Sequence, residues 1–256
     1  MSSPPVSHVE RVHRLFDDKA EDWPEHYRPD GRLLSRLVQV TRTVEQLTGA
    51  GAPVLDLGCG SGELTRRLAR SGFRLTGCDV SENMLRQARR ADPDQAVSWV
   101  QVNPAWQRLP FGDNAFETVV AASVLEYLES PATVFAQCAR ILRPGGTLVV
   151  TVPNLAHPVR WLEGIGQLAA GTAPVRRLAA AARQDRLDAY LTYLRISRQR
   201  HRPRWWETVA RQAGLPPVPL AAGAAGRPTL RLLAFRAGPD SHPDGQPGGQ
   251  PDGAER

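Results

Sequence analysis

The stretch Pro53-Val-Leu-Asp-Leu-Gly-Cys-Gly-Ser-Gly-Glu-Leu-Thr-Arg-Arg-Leu-Ala69 decides how this chain is read. It opens on a short apolar run, Val54 to Leu57, broken by one acid, Asp56. Glycines follow at 58, 60 and 62, and Leu64 and Leu68 then recur at helical spacing. This pattern predicts a buried strand, a tight glycine turn and a helix. Glycine tolerates positive φ and lets backbone approach a ligand closely. Open N–H groups at the helix start predict a polar or anionic ligand there. The spacing D-x-G-x-G-x-G is neither the G-x-G-x-x-G of a dinucleotide site nor a P-loop, because no Gly-Lys-Ser/Thr follows.

The rest of the chain continues as strands and helices. Gly31 to Thr48 reads as a helix on the spacing of Leu33, Leu37, Val40 and Val44, stopped by Gly49 and Gly51. Phe73-Arg-Leu-Thr-Gly-Cys-Asp79 is a second strand that ends in an acid. An acid about 20 residues beyond a glycine turn can accept hydrogen bonds from a ribose diol. The competing reading, a helix cap, falls to Ser81, the better N-cap for the next helix. As a turn acid, Asp79 is expected to have little packing to lose. Val97–Val102 and Phe116–Ala122 are further strands, Pro131–Leu142 is a helix with Pro in its first turn, and Thr229–Arg236 is a last strand.

Asp56-Leu-Gly-Cys-Gly-Ser-Gly62 resembles motif I of the class I S-adenosylmethionine (SAM)-dependent methyltransferases, in particular the methyltransferase-11-like domains that act on small molecules. Val80-Ser-Glu-Asn-Met84, Leu109-Pro-Phe-Gly-Asp-Asn-Ala-Phe116, Ser123-Val-Leu-Glu-Tyr-Leu128 and Arg143-Pro-Gly-Gly146 follow in the family's order, so the resemblance runs from about residue 52 to 153. It implies an α/β fold: a doubly wound, mostly parallel seven-stranded Rossmann-like sheet with an antiparallel last strand and a helical cap inserted after strand five. It also implies SAM, released as S-adenosylhomocysteine, lying across the carboxyl ends of strands one and two.

The residues carried over are these. Asp56, Gly58, Cys59, Gly60 and Gly62 form the cofactor turn, Asp79 takes the ribose, and Val80 and Met84 pack on adenine. Asn103 stands where the family usually has an acid near the adenine amine, and its carbonyl can still accept from an amine. The backbone at Pro104 or Ala105 offers an alternative. The tip of strand four, with Ala121, faces the methyl group, and Tyr127 replaces the histidine of V-L-E-H. Trp23 and Tyr27 resemble the aromatic residues of an N-terminal segment that closes over SAM; the plain alternative is packing at a core edge. In the insertion, Trp161 and Tyr193 are candidate substrate contacts. His157, following strand five and able to titrate near neutrality, is the candidate base for a hydroxyl acceptor.

The domain reading is a lid segment over 1–30, a methyltransferase domain over 31–237 with a cap at about 153–202, and a tail over 238–256. The tail is rich in Gly, Pro, Asp and Gln and is expected to be disordered. Hydrophobic residues make up 41% of the 256-residue chain, enough for one ample core. No run approaches the roughly 18 to 20 apolar residues of a membrane span. The N-terminus lacks a signal-peptide core, so cytoplasmic is the default localisation. Cys59, Cys78 and Cys138 lack metal-ligand spacing and read as structural, reduced thiols, and no metal cluster is evident.

The net charge is +6, but Lys19 is the only lysine, and the arginine excess looks like the codon bias of a GC-rich genome. The five arginines of Arg195–Arg204 could bind an anionic substrate or carrier, or simply solvate a helix end. No nucleic-acid module is present, which argues against a DNA or RNA substrate. The expected activity is methyl transfer to a small-molecule acceptor, with oxygen favoured, of the kind met in secondary metabolism. A methyltransferase of RNA or of a carrier-bound substrate, and a non-catalytic SAM-binding partner protein, stay open. Nothing in the sequence sets the oligomeric state.

Overall fold

The computed structural model describes residues 6–28, 33–159, 163, 193–220 and 229–239. Trp161 and most of the expected cap lie outside these residues, as does the expected tail from 240 onward.

Seven strands form one sheet: β1 (Pro53–Leu57), β2 (Arg74–Asp79), β3 (Val97–Gln101), β4 (Phe116–Ala121), β5 (Leu142–Pro153), β6 (Pro217–Val218) and β7 (Leu230–Arg236). Their order is β3-β2-β1-β4-β5-β7-β6. The first five run parallel, while β7 is antiparallel to β5 and to β6. The chain winds one way from β1 to β3 and the other way from β4 onward. The crevice where it reverses, at the carboxyl ends of β1 and β4, is where open α/β sheets bind ligands. The doubly wound, mostly parallel reading therefore stands. The two-residue β6 is too short to show in a periodicity.

Strand alternation builds two cores. Leu55, Leu57, Val119, Ala121, Leu148 and Val150 face one layer, and Val54, Val120 and Val149 face the other. The first layer is covered by α5 (Pro131–Ile141) and α6 (Pro203–Gln212), where buried Trp206 stacks on Phe135 at 6.3 Å and Phe235 meets that ring edge-on at 5.7 Å. The second is covered by α2 (Leu34–Leu47) and α3 (Glu63–Arg70). The Arg-Pro-Gly-Gly turn is a bulge. Phe116 pairs with Leu142 and Thr118 with Thr147, so the extra residues loop out. Gly146 is required there, since a Cβ on it would come within 2.8 Å of the Glu117 carbonyl. Buried Arg140 of α5 holds the Leu109–Phe116 turn by donating to the carbonyls of Leu109 and Phe111 and to Asp113.

Before the sheet, α1 (His8–Asp18) is capped by Ser7, whose hydroxyl accepts from Glu10 N. A short 3-10 turn, Trp23–Tyr27, follows. α4 (Glu82–Arg90) leaves β2 and contacts α1. No helix among the described residues is long and apolar enough to cross a membrane.

Candidate functional site

The glycine turn is shaped by backbone conformation and by close packing. Gly58, Gly60 and Gly62 all have positive φ, at 72°, 55° and 81°. A Cβ on Gly58 would collide with Val124, and one on Gly62 with the Trp99 ring. Trp99 is fixed by its indole N–H, which donates to Asp92 at 3.1 Å. Four N–H groups of this turn are spent internally. Those of Gly58 and Cys59 both donate to the Cys78 carbonyl at 2.8 and 2.9 Å, and that of Gly62 donates to Cys59 O at 3.0 Å. That of Gly60 donates to Asp79 at 2.8 Å.

Asp79 ends β2 on the cavity wall and is only 8% exposed. Its carboxylate also accepts from Ser81 N at 2.9 Å. Burial pushes its carboxyl above the ordinary range, against the lowering effect of the Ser81, Gly60 and Val80 N–H groups. The expectation that Asp79 has little structure to lose is corrected: it ties the glycine turn of β1 to the start of α4. A carboxylate offers about four lone-pair directions, so it retains capacity to accept from a diol.

Around these groups lies a cavity of about 770 Å³, within the range of small-molecule and cofactor sites. Gly58, Cys59, Gly60, Asp79, Val80 and Met84 line it, as do Pro104, Trp23, Tyr27, Tyr127 and Tyr193. Five expected site residues lie off its wall. Asp56 is buried beneath α3, accepts from the Thr65 hydroxyl at 2.6 Å, and is pushed up to about 7 by burial. Gly62 faces Trp99 instead. Exposed Asn103 folds back on its own turn, its side-chain oxygen accepting from Ala105 N at 2.9 Å. Ala121 points into the core layer; Ala122 and Ser123, just beyond the end of β4 where the chain turns, reach the cavity instead. Half-buried His157 closes the turn after β5, its Nδ1 accepting from Val159 N at 3.2 Å, and Val159 takes the wall position.

The structure also adds residues that sequence reading missed. Arg36 of α2 donates to the Tyr27 hydroxyl at 2.8 Å and to the Ser123 hydroxyl, placing a cation at the glycine end of the cavity. Its signal in the sequence was weak, one of two arginines in the helix preceding the turn. Trp106, with φ 53°, joins Pro104 and Ala105 on the wall. The indole nitrogen of Trp23 lies 3.3 Å from where a Cβ on Gly60 would sit, so this ring covers the glycine turn. At the far end Phe16 meets Tyr127 edge-on at 5.0 Å, and Tyr127 meets Tyr193 at 6.4 Å.

The described end of the insertion is fastened to this rim. Ser197 donates to buried Glu126 at 2.8 Å, and Gln199 donates to the carbonyls of Glu126 and Leu128. Arg195, Arg198, Arg202 and Arg204 are exposed, whereas Arg200 is largely buried and pairs with Glu163 at 3.1 Å. All three cysteines are buried, and burial pushes each thiol up, that of Cys138 to about 12.

A family model described as a methyltransferase domain matches residues 55–150. The chain is 38% identical over 114 residues to the demethylmenaquinone methyltransferase of Tropheryma whipplei strain Twist, covering 44% of this chain and 46% of the relative. It is 29% identical over 143 residues to a ubiquinone biosynthesis O-methyltransferase of Coxiella burnetii, covering 54% and 60%. The chain thus spans about half the length of the curated relatives it matches. In fold it is similar to magnesium protoporphyrin IX methyltransferase from Synechocystis, solved with S-adenosylhomocysteine (SAH), at a TM-score of 0.65 and 17% identity, covering 88% and 98% of the two chains.

Proposed function

We propose that this chain, whose residues 55–150 belong to the class I SAM-dependent methyltransferases, transfers the methyl group of SAM to a planar, largely apolar small-molecule acceptor. One observation carries the reading. The Asp79 carboxylate is hooked to the glycine turn through Gly60 and lines a cavity at the topological switch point. The residues present fit the cofactor. Asp79 can accept the ribose diol, Val80 and Met84 give adenine an apolar bed, and Arg36 can pair with the amino-acid carboxylate.

Bound there, SAM supplies a methyl group already activated on a sulfonium, so the protein mainly aligns the reactants and excludes water. Trp23 covers the glycine turn and Tyr27, half-buried against Arg36, closes the side. The edge-to-face row of Phe16, Tyr127 and Tyr193 suits an aromatic or quinoid ring. The printed names of the curated relatives, which concern menaquinone and ubiquinone formation, support that class.

The acceptor atom is read as a hydroxyl oxygen, supported by one relative's name. A hydroxyl needs a base within reach. Glu126, on the wall and hydrogen-bonded to Ser197, is better placed than His157, which is off it. Calorimetric titration with SAM and SAH tests the cofactor. Mass spectrometry after incubation with methyl-labelled SAM and hydroxylated quinols tests the acceptor: an O-methyl product supports this reading, a ring methyl moves the acceptor atom to carbon, and no SAM binding overturns the whole.

A further inference from the structure

Resting on the SAM reading above, we propose that Asp17 is the positioning residue that clamps the N-terminal segment over the cofactor, acting through Ser81. Asp17 lies in the last turn of α1, and its partners lie at the start of α4, beside the cavity-wall residues Val80 and Met84. One carboxylate oxygen accepts from the Ser81 hydroxyl at 2.7 Å and from Asn83 N at 3.3 Å. The other accepts from the Asn83 side-chain amide at 2.7 Å, and that amide also reaches the Asp17 carbonyl at 3.4 Å. Ser81 and Asn83 belong to the first turn of α4, so the negative charge also meets the positive end of that helix. Asp17 is thus the second acid at this turn, brought in from 64 residues away.

The contacts close a ring around the site. Gly60 N and Ser81 N donate to the two oxygens of Asp79. The Ser81 hydroxyl donates to Asp17 and accepts from Met84 N at 3.1 Å. From Asp17 the chain passes through buried Ala20 to Trp23, whose indole lies over Gly60. One serine therefore touches the ribose acid with its backbone and the lid acid with its side chain. With the clamp made, α1 and Trp23 are held against the cavity wall. Release of the cofactor then requires this clamp to open, and Asp17 governs cofactor residence without touching the reacting atoms.

The test uses the full chain and SAH as the probe. Asp17→Ala should weaken SAH binding about tenfold, the order expected for losing a charged hydrogen bond, with most of the change in the dissociation rate. The KM for SAM should rise by a similar factor while kcat at saturation stays within about twofold, because the lost contact acts on binding alone. Asp18→Ala, at the exposed neighbouring carboxylate, should leave all of these unchanged. The exchange Asp17→Asn with Asn83→Asp reverses the side-chain amide–carboxylate pair, keeps an oxygen at position 17 for the Ser81 hydroxyl and the N–H of residue 83, and loses only the 3.4 Å amide contact to the carbonyl of residue 17. It should restore SAH release to near the wild-type rate, which loss of folded protein would not do. Asn83→Ala removes the same pairing from the other side should Asp17→Ala fold poorly. Wild-type SAH affinity and release in both Asp17→Ala and Asn83→Ala would overturn the clamp, as would a reversed pair that does not rescue. A wild-type chain that does not bind SAH would overturn the SAM reading, and the clamp with it, before any variant is made.

Discussion

Replacing Asp79 separates the two roles that the structure gives it. Its carboxylate receives Gly60 N at 2.8 Å and Ser81 N at 2.9 Å and is 8% exposed. In Asp79→Ala both N–H groups lose their partner in a buried place, at about 1–3 kcal/mol each. Melting should therefore fall clearly, and the glycine turn should loosen from α4. In Asp79→Asn the side-chain oxygen can keep one N–H, but the amide presents its own N–H to the other, so about half of that loss remains. On the ligand side, the hydrogen bonds of a diol to a charged group are worth about 1.5–3 kcal/mol, or roughly ten- to a hundredfold in Kd. Both variants should show that loss in calorimetric titrations with SAH, run well below the melting temperature so that the folded fraction is complete. The pH dependence has a definite sign. Diol binding uses the ionised carboxylate, whose pKa is raised by burial, so affinity should fall with acidification from a point above the ordinary carboxylate range. A folded Asp79→Asn protein with wild-type SAH affinity would refute the ribose role. An Asp79→Ala protein with unchanged melting would refute the bracing of the turn.

Three further perturbations test the surrounding scaffold. Asp56 has a folded pKa of about 7 against 3.8 for the free side chain, so its contribution to stability is fully present below pH 3.8 and is lost as pH rises through 7. The fall is at most roughly 4 kcal/mol, at 1.36 kcal/mol for each pH unit. Denaturant titrations of Asp56→Asn should show this slope removed, and a slope equal to the wild type's would show that the carboxyl is not held protonated. Gly62→Ala puts a Cβ into Trp99 at φ 81° and should cost about 2–4 kcal/mol in chemical denaturation. Adding Trp99→Leu should recover the steric part and leave the backbone part, whereas strictly additive losses would contradict the contact. Trp206→Ala, emptying the aromatic layer between α5 and β7, should cost about 3–5 kcal/mol without altering SAH affinity in the folded protein. A changed affinity would tie that layer to the cavity.

Much of this architecture could be read in the residues. The glycine turn, the acid twenty residues on and the alternating apolar strands are local signals, and local geometry follows from them. The lining of the cavity was less legible, because it is decided by side-chain direction. Ala121 and Ser123 are two residues apart, yet only the latter reaches the cavity, since β4 ends between them and the chain turns. Asn103 has the sequence position of an adenine contact, but its side chain is taken up by its own turn. His157 has a suitable sequence position, but its Nδ1 is committed to Val159 N. The roles of Arg36 and Asp17 are not legible in their local sequence, because they depend on residues 87 and 64 positions away.

The three thiols supply a chemical clock for motion in this molecule. Cys78 and Cys138 lie within the sheet and α5 and are 0% and 1% exposed, so a thiol reagent reaches them only when those elements open. Cys59 sits in the glycine turn and lines the cavity, behind Trp23 and the N-terminal segment. Its sulfur packs against Gly77, so its modification needs the lid to lift and the glycine turn to loosen but not the core to unfold, and a bound ligand would shield it. Reaction rates read peptide by peptide would then distinguish breathing of the lid from unfolding of the core, with no label introduced into the chain.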